Sequence, residues 1–236
     1  MNRIMKVTKL HLNKISTFAL VPPQIVGFVL IVSIIIALVI QRASDGAIDA
    51  AYVDGARSNS AIVWSLPGFL IYYGVQAVAT SYPFALALGT TRRNFILGTM
   101  LANALQALYI AVMLVVLLGI ELATGHWFMN AYVLDVYAVG SGNAWTLFAT
   151  AFVGVMLCLT IGGFFGAVWV RFGAKGPTVV AIVLGLGLAL TLLAVAPRLG
   201  EIFASITYSG LAVAAAIIVV LGLAGTWLAM RRASVR

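Results

Sequence analysis

The sequence predicts an all-α integral membrane protein: six transmembrane helices preceded by an N-terminal amphipathic helix, with both termini in the cytoplasm. Three observations support this. Of 236 residues, 63% are hydrophobic and only 8% charged, against about 25% charged in an ordinary soluble domain, and mean hydropathy is +1.12. Six long apolar runs divide the chain. The basic residues alternate between rich and poor connections, which is a topology signal.

A water-soluble fold cannot hide this much apolar surface, and a spanning helix needs roughly 20 mostly apolar residues to cross about 30 Å of hydrocarbon. The candidate spans lie at about 23–41, 61–81, 96–120, 144–170, 178–196 and 208–230. The longer ones must tilt or project beyond the bilayer. Backbone groups in lipid must bond internally, so these runs read as helices, and the alternating ten-residue pattern of a membrane barrel is absent.

Eleven of the fourteen Lys and Arg residues fall in four segments: the N-terminus (Arg3, Lys6, Lys9, Lys14), the second connection (Arg92, Arg93), the fourth (Arg171, Lys175) and the C-terminus (Arg231, Arg232, Arg236). The alternate connections hold Arg42, Arg57 and Arg198, together with all six acids (Asp45, Asp49, Asp54, Glu121, Asp135, Glu201). The positive-inside rule therefore places both ends in the cytoplasm, and an even number of spans agrees with both ends lying on one side. The net charge of +8 reflects this topology rather than a nucleic-acid surface.

Residues 1–21 form the first predicted unit. At 100° per residue, Ile4, Val7, Ile15 and Phe18 share a broad face with Met5 and Leu12, opposite Lys6, Lys9 and Asn13. Such a helix suits the inner headgroup layer, although a plain basic topogenic tail reads the same way. Pro22 and Pro23 end it and open the first span, since proline is tolerated in a first helical turn. That span exceeds the 7–15 apolar residues of a signal peptide and no clear small-x-small cleavage site follows it, so it is expected to be retained. Residues 22–236 form the six-span domain.

Several chemistries are missing from the sequence. No GxxxxGK[ST], HExxH, CxxC or GxSxG occurs. The single Cys158 excludes a disulfide framework. His11 and His126 lie outside the spans without an evident partner and read as solvated side chains. The span interiors hold no Asp, Glu, Lys or Arg, whereas ion-coupled transporters place such groups in the membrane. The polar residues inside spans are Gln76, and Asn103 with Gln106 three residues on. They read as interhelical hydrogen-bonding groups or as the polar lining of a path. Gly162 and Gly166 have the spacing that lets helices approach closely. On the outer side, Trp127, Phe128, Tyr132, Tyr137 and Trp145 suit an interfacial belt.

The connection "SYPFALALGTTRRNFILG" is the most informative stretch. Pro83 can start a short helix containing Phe84, Leu86 and Leu88, and Gly89 can end it in a left-handed conformation. Thr90 or Thr91 can cap the next helix. Arg92 and Arg93 then occupy its first turn, where the helix dipole disfavours cations by roughly 0.3–1 kcal/mol each. Membrane orientation is one reason to keep them there; an acidic partner surface is another.

"LGTTRRNFILGTMLANAL" resembles the segment of type-2 ABC transporter permeases in which a small cytoplasmic helix precedes a turn, a Ser/Thr, one or two arginines, an apolar pair and a glycine. The likeness extends over nearly the whole chain: a basic elbow helix, six spans, both ends inside, a short outer element before the last span, and "RFGAKG" at the inner turn after span 4. Many relatives have an acidic residue where this chain has Asn94. The resemblance implies a coupling helix at about 83–89, with Pro83, Phe84, Leu86, Leu88, Gly89, Thr91, Arg92, Arg93 and Asn94 facing a separate ATP-hydrolysing subunit. It implies an exporter's membrane subunit, without an enzyme site of its own, that pairs with a second copy or a related permease. ATP and Mg would be bound by the partner ATPase. A lipophilic compound, drug or peptide is the expected cargo; a non-transporting membrane scaffold or sensor is the alternative.

Overall fold

The computed structural model describes residues 3–13, 15–205 and 207–231; Lys14, Arg232 and Arg236, counted above toward the basic side, lie outside them. The described residues are helical and turn structure, without a strand. Six helical segments are long and apolar enough to cross a membrane: Ser16–Ala43, Ala50–Ala87, Arg92–Ala123, Ala144–Phe172, Lys175–Ile202 and Val213–Met230. Six such helices are compatible with a multi-pass membrane protein.

The elements in order are α1 (Arg3–Leu12), a widened turn (Ser16–Leu20), α2 (Val21–Ala43), α3 (Ala50–Arg57), α4 (Ala61–Ser65), α5 (Pro67–Ala79), α6 (Ser81–Ala87) and α7 (Arg92–Ala123). Then come α8 (Ala144–Phe172), α9 (Lys175–Val195), α10 (Leu199–Ser205) and α11 (Tyr208–Arg231). The second span is expected as one run over 61–81 but is broken between Ser65 and Pro67. Proline lacks the N–H that would continue α4 and suits the start of a new helix.

The contacts divide the chain into two units, Met1–Leu70 with Met100–Met156, and Ile71–Thr99 with Leu157–Arg236. In the first, α2 packs on α4, the turn Ser16–Leu20 and the loop His126–Asn130. Pro22 and Pro23 lie in the first turn of α2 and cannot donate to the carbonyls four residues back, those of Phe18 and Ala19. Two side chains of α7 replace the missing donors. Gln106 Nε2 donates to the Phe18 carbonyl at 2.9 Å, and the Tyr109 hydroxyl donates to that of Ala19 at 2.8 Å. The Phe18 and Tyr109 rings stack at 6.0 Å. Groups that proline orphans in an apolar setting must find such partners.

On the N-terminal helix Thr8 and His11 share the expected face with Ile4 and Val7, and the centre of that face turns inward. Val7, Thr8 and His11 are buried, while Met5 and Ile15 are exposed. The stripe i, i+3/i+4, i+7 that begins at Ile4 runs through Val7, Thr8 and His11. It ends there because α1 stops at Leu12 and the chain resumes as the widened turn. His11, expected to be solvated, is 5% exposed.

In the second unit α8 meets α5 through glycines. A Cβ on Gly162 would stand 2.2 Å from the Ile71 carbonyl oxygen, and one on Gly166 2.7 Å from that of Val75. Opposite them, a Cβ on Gly74 would approach the Leu159 carbonyl to 2.6 Å. The two backbones touch where glycine permits it. On α11, Gly222 and Gly225 receive Thr160 and Phe164 of α8 in the same way. By contrast α9 exposes its apolar side chains along most of its length, as a lipid-facing helix can.

Candidate functional site

The connection singled out in the sequence folds as a short helix and a tight reversal in the second unit. The helix α6 begins at Ser81, two residues before Pro83. Proline lies in the first turn, where its missing N–H costs no hydrogen bond. Leu88 N–H donates to the Phe84 carbonyl, Gly89 N–H to that of Leu86 and Thr90 N–H to that of Ala85. With Gly89 at φ +74°, this is a Schellman ending, in which two backbone bonds close the helix over a left-handed residue. The Thr91 hydroxyl then accepts the Asn94 N–H at 3.4 Å, a long bond in the N-cap pattern that opens α7 at Arg92.

One face of this unit is buried and the other is open. Tyr82 and Phe95 are fully buried and meet edge to face at 5.2 Å, which fixes α6 to the first turn of α7. Phe84 is 53% and Leu88 68% exposed; Pro83 and Leu86 are half-buried, and Gly89, Thr91, Arg92 and Arg93 are exposed. Arg92 and Arg93 are the first two residues of α7, and its first turn holds no acid. With Thr91, Ile96 and Trp227 they line a depression of about 320 Å³.

The polar residues of the spans are spread along the chain. Gln76, in the second unit, bonds Tyr72 on its own helix, Nε2 to hydroxyl at 3.3 Å. Asn103 and Gln106, in the first unit, are buried, and Gln106 serves the orphaned Phe18 carbonyl. Gly162 and Gly166 form the α5–α8 approach described above.

A second cluster lies in the first unit, and no motif in the sequence marks it. Glu121, at the end of α7, is 0% exposed. Its carboxylate accepts the N–H groups of Val133 (3.0 Å), Leu134 (2.8 Å) and Asp135 (3.2 Å). Asp135, 2% exposed, takes Arg57 Nη2 at 2.7 Å and stands 3.1 Å from His126 Nε2. The Arg57 guanidinium lies 5.4 Å from the Tyr132 ring centre, and His126 packs on that ring at 4.0 Å. The chain reaches this arrangement through consecutive left-handed residues, Gly125 to Phe128. Outside glycine such residues cost roughly 1–2 kcal/mol each, so the contacts of the loop must over-determine it. Tyr132, expected in an interfacial belt, is part of this network, whereas Phe128 and Trp145 are highly exposed.

The cluster is a clamp made of ion pairs and backbone hydrogen bonds. It holds residues 133–135 against the end of α7 and ties them to α3 through Arg57. Among the described residues no group of three or more His, Cys, Asp or Glu side chains is placed to hold a metal ion. No family model matches the chain, and neither a curated protein nor a solved structure matches it.

Proposed function

We propose that the chain is the permease subunit of an ATP-binding-cassette transporter, exporting a lipophilic compound, drug or peptide. It resides in the cell membrane with both termini cytoplasmic and α1 lying as an elbow helix in the inner headgroup layer. Two copies, or one copy and a related permease, frame the translocation path, and separate ATPase subunits dock beneath. ATP and Mg belong to those subunits; this chain is a transport subunit without a catalytic or cofactor site, and it has no nucleic-acid partner.

The observation that carries this reading is the open face of the α6–α7 connection. Phe84 and Leu88 stand out from a helix of seven residues beside two exposed arginines. Exposed apolar anchors rimmed by charge are the composition of a docking surface. An acidic surface on the ATPase offsets the unfavourable placement of Arg92 and Arg93 in a first helical turn. The Schellman ending and the buried Tyr82–Phe95 contact make α6 and the start of α7 one rigid piece. A push on α6 by a closing ATPase pair is therefore delivered to α7, which is 32 residues long.

Charge reversal tests this directly. Arg92→Glu with Arg93→Glu should abolish coupled ATPase activity and transport while the chain still inserts and elutes as a folded protein. Unchanged assembly, coupled ATPase activity and transport would remove the connection from the docking surface.

A further inference from the structure

The second unit gathers cations from three helices at one end. Arg92 and Arg93, at the start of α7, share their depression with Trp227 of α11. The next carbonyl of α11, that of Leu228, accepts Arg171 Nη1 at 3.4 Å, which brings the end of α8 to the end of α11. Lys175 is the first residue of α9. A Cβ on Gly176 would stand 2.7 Å from that of Phe172, so the start of α9 lies against the end of α8. The sequence of this unit, 71–99 with 157–236, contains a single acid, Glu201. It follows α9, whose 21 residues extend for about 32 Å at 1.5 Å each, and so belongs to the opposite end.

This concentration of charge is unfavourable in the chain alone. Arg92, Arg93 and Lys175 occupy the first turns of two helices, neither of which holds an acid there. The helix dipole disfavours cations at both starts, and the like charges add to one positive field. An anionic partner offsets both terms. Apolar rings are interleaved with the cations: Trp227 and Phe172 are exposed, and the Arg171 guanidinium lies 4.7 Å from the Phe172 ring centre. A phosphate group would need the cations only. Aromatic anchors beside arginines are the composition of a protein interface, and they continue the open face of α6 with its exposed Phe84 and Leu88.

We propose that this end of the second unit is one docking surface for an acidic protein segment, its carboxylates meeting Arg92, Arg93 and Lys175 and an apolar side chain resting on Trp227 and Phe172. The inference rests on the reading of the α6–α7 connection as a docking surface, and extends that surface to α8, α9 and α11. It is tested with the photo-cross-linking residue p-benzoylphenylalanine placed at Trp227 and, separately, at Phe84, in the full chain in its native membrane. Both positions should cross-link to the same protein, and the Trp227 adduct should map to a peptide of that protein containing Asp or Glu. Lys175→Glu should reduce the Trp227 adduct at least five-fold. A first helical turn favours Glu, so this variant keeps the fold, and lysine in place of an acid of the cross-linked peptide should restore the adduct. A protein adduct at Phe84 without one at Trp227 would overturn this inference and leave the ATPase reading standing. Adducts at both positions to a protein without a P-loop would overturn the ATPase reading and keep the docking surface. A Trp227 adduct to phospholipid alone, or one indifferent to both Lys175→Glu and Arg93→Glu, would overturn the proposal.

Discussion

Gln106 Nε2 lies 2.9 Å from the carbonyl of Phe18, 88 residues earlier, and supplies the hydrogen that Pro22 cannot. The proline pair fixes the start of α2 and the α7 side chains repair the backbone it leaves open. Gln106→Leu should therefore cost about 1 kcal/mol, in the range of interhelical hydrogen bonds in membranes, read as a lowered melting temperature in detergent. In a Pro22→Ala background, where residue 22 recovers its N–H, the same substitution should cost little. An equal cost in both backgrounds would separate Gln106 from the proline.

Glu121 organises the loop that follows α7. Glu121→Ala removes the acceptor of three buried N–H groups and should destabilise by about 1–3 kcal/mol or more. Hydrogen exchange at Val133, Leu134 and Asp135 should accelerate well before exchange in the centre of α7. Unchanged protection at those three amides would mean that the clamp does not hold the loop.

The α5–α8 approach depends on glycine. Gly162→Ala places a methyl 2.2 Å from the Ile71 oxygen, so the helices must separate, at about 1–3 kcal/mol for overpacking. Gly154→Ala is the control. Nothing lies within 4 Å of a Cβ there, and the better helix former should be neutral or stabilising, by up to about 1 kcal/mol. Comparing the two melting temperatures decides whether contact or propensity dominates.

A pH effect follows from Tyr137, whose hydroxyl donates to Asp54 Oδ1 at 2.7 Å. That bond, with lesser contributions from burial and from carboxylates nearby, raises the phenol pKa above 10.0. A raised folded pKa means the contact contributes fully below the unfolded value and is lost as pH rises through the folded one. Wild type and Tyr137→Phe should differ in melting temperature below about pH 10 and converge above it. A constant difference across that range would contradict the assignment.

The parts of this structure legible in the sequence are those set by near neighbours. The left-handed Gly89 and the Thr91 cap follow from residues within a turn of one another, and the long helices follow from apolar length alone. The start of α6 was displaced by two residues because proline is accepted throughout a first turn. The orphaned carbonyls of Phe18 and Ala19 could be foreseen from Pro22 and Pro23; Gln106 and Tyr109, which satisfy them, lie 88 and 90 residues away. The Arg57–Asp135–His126 network joins α3 to the loop between α7 and α8, and no local pattern marks it. Asp135 and Arg57 are 78 residues apart, and Glu121 reads as one more acid at a span edge until its three amide donors are seen. His11 reads as solvated in sequence for a related reason: a polar residue at i+7 of a short buried stripe is carried inward by its neighbours.

The most direct test of the proposed function is to purify the tagged chain from its native membrane in mild detergent and identify what accompanies it. The account predicts a stoichiometric P-loop ATPase subunit that is lost when Arg92 and Arg93 are both changed to Glu. Recovery of the folded chain without any nucleotide-hydrolysing partner would contradict it, and would favour a membrane scaffold or sensor.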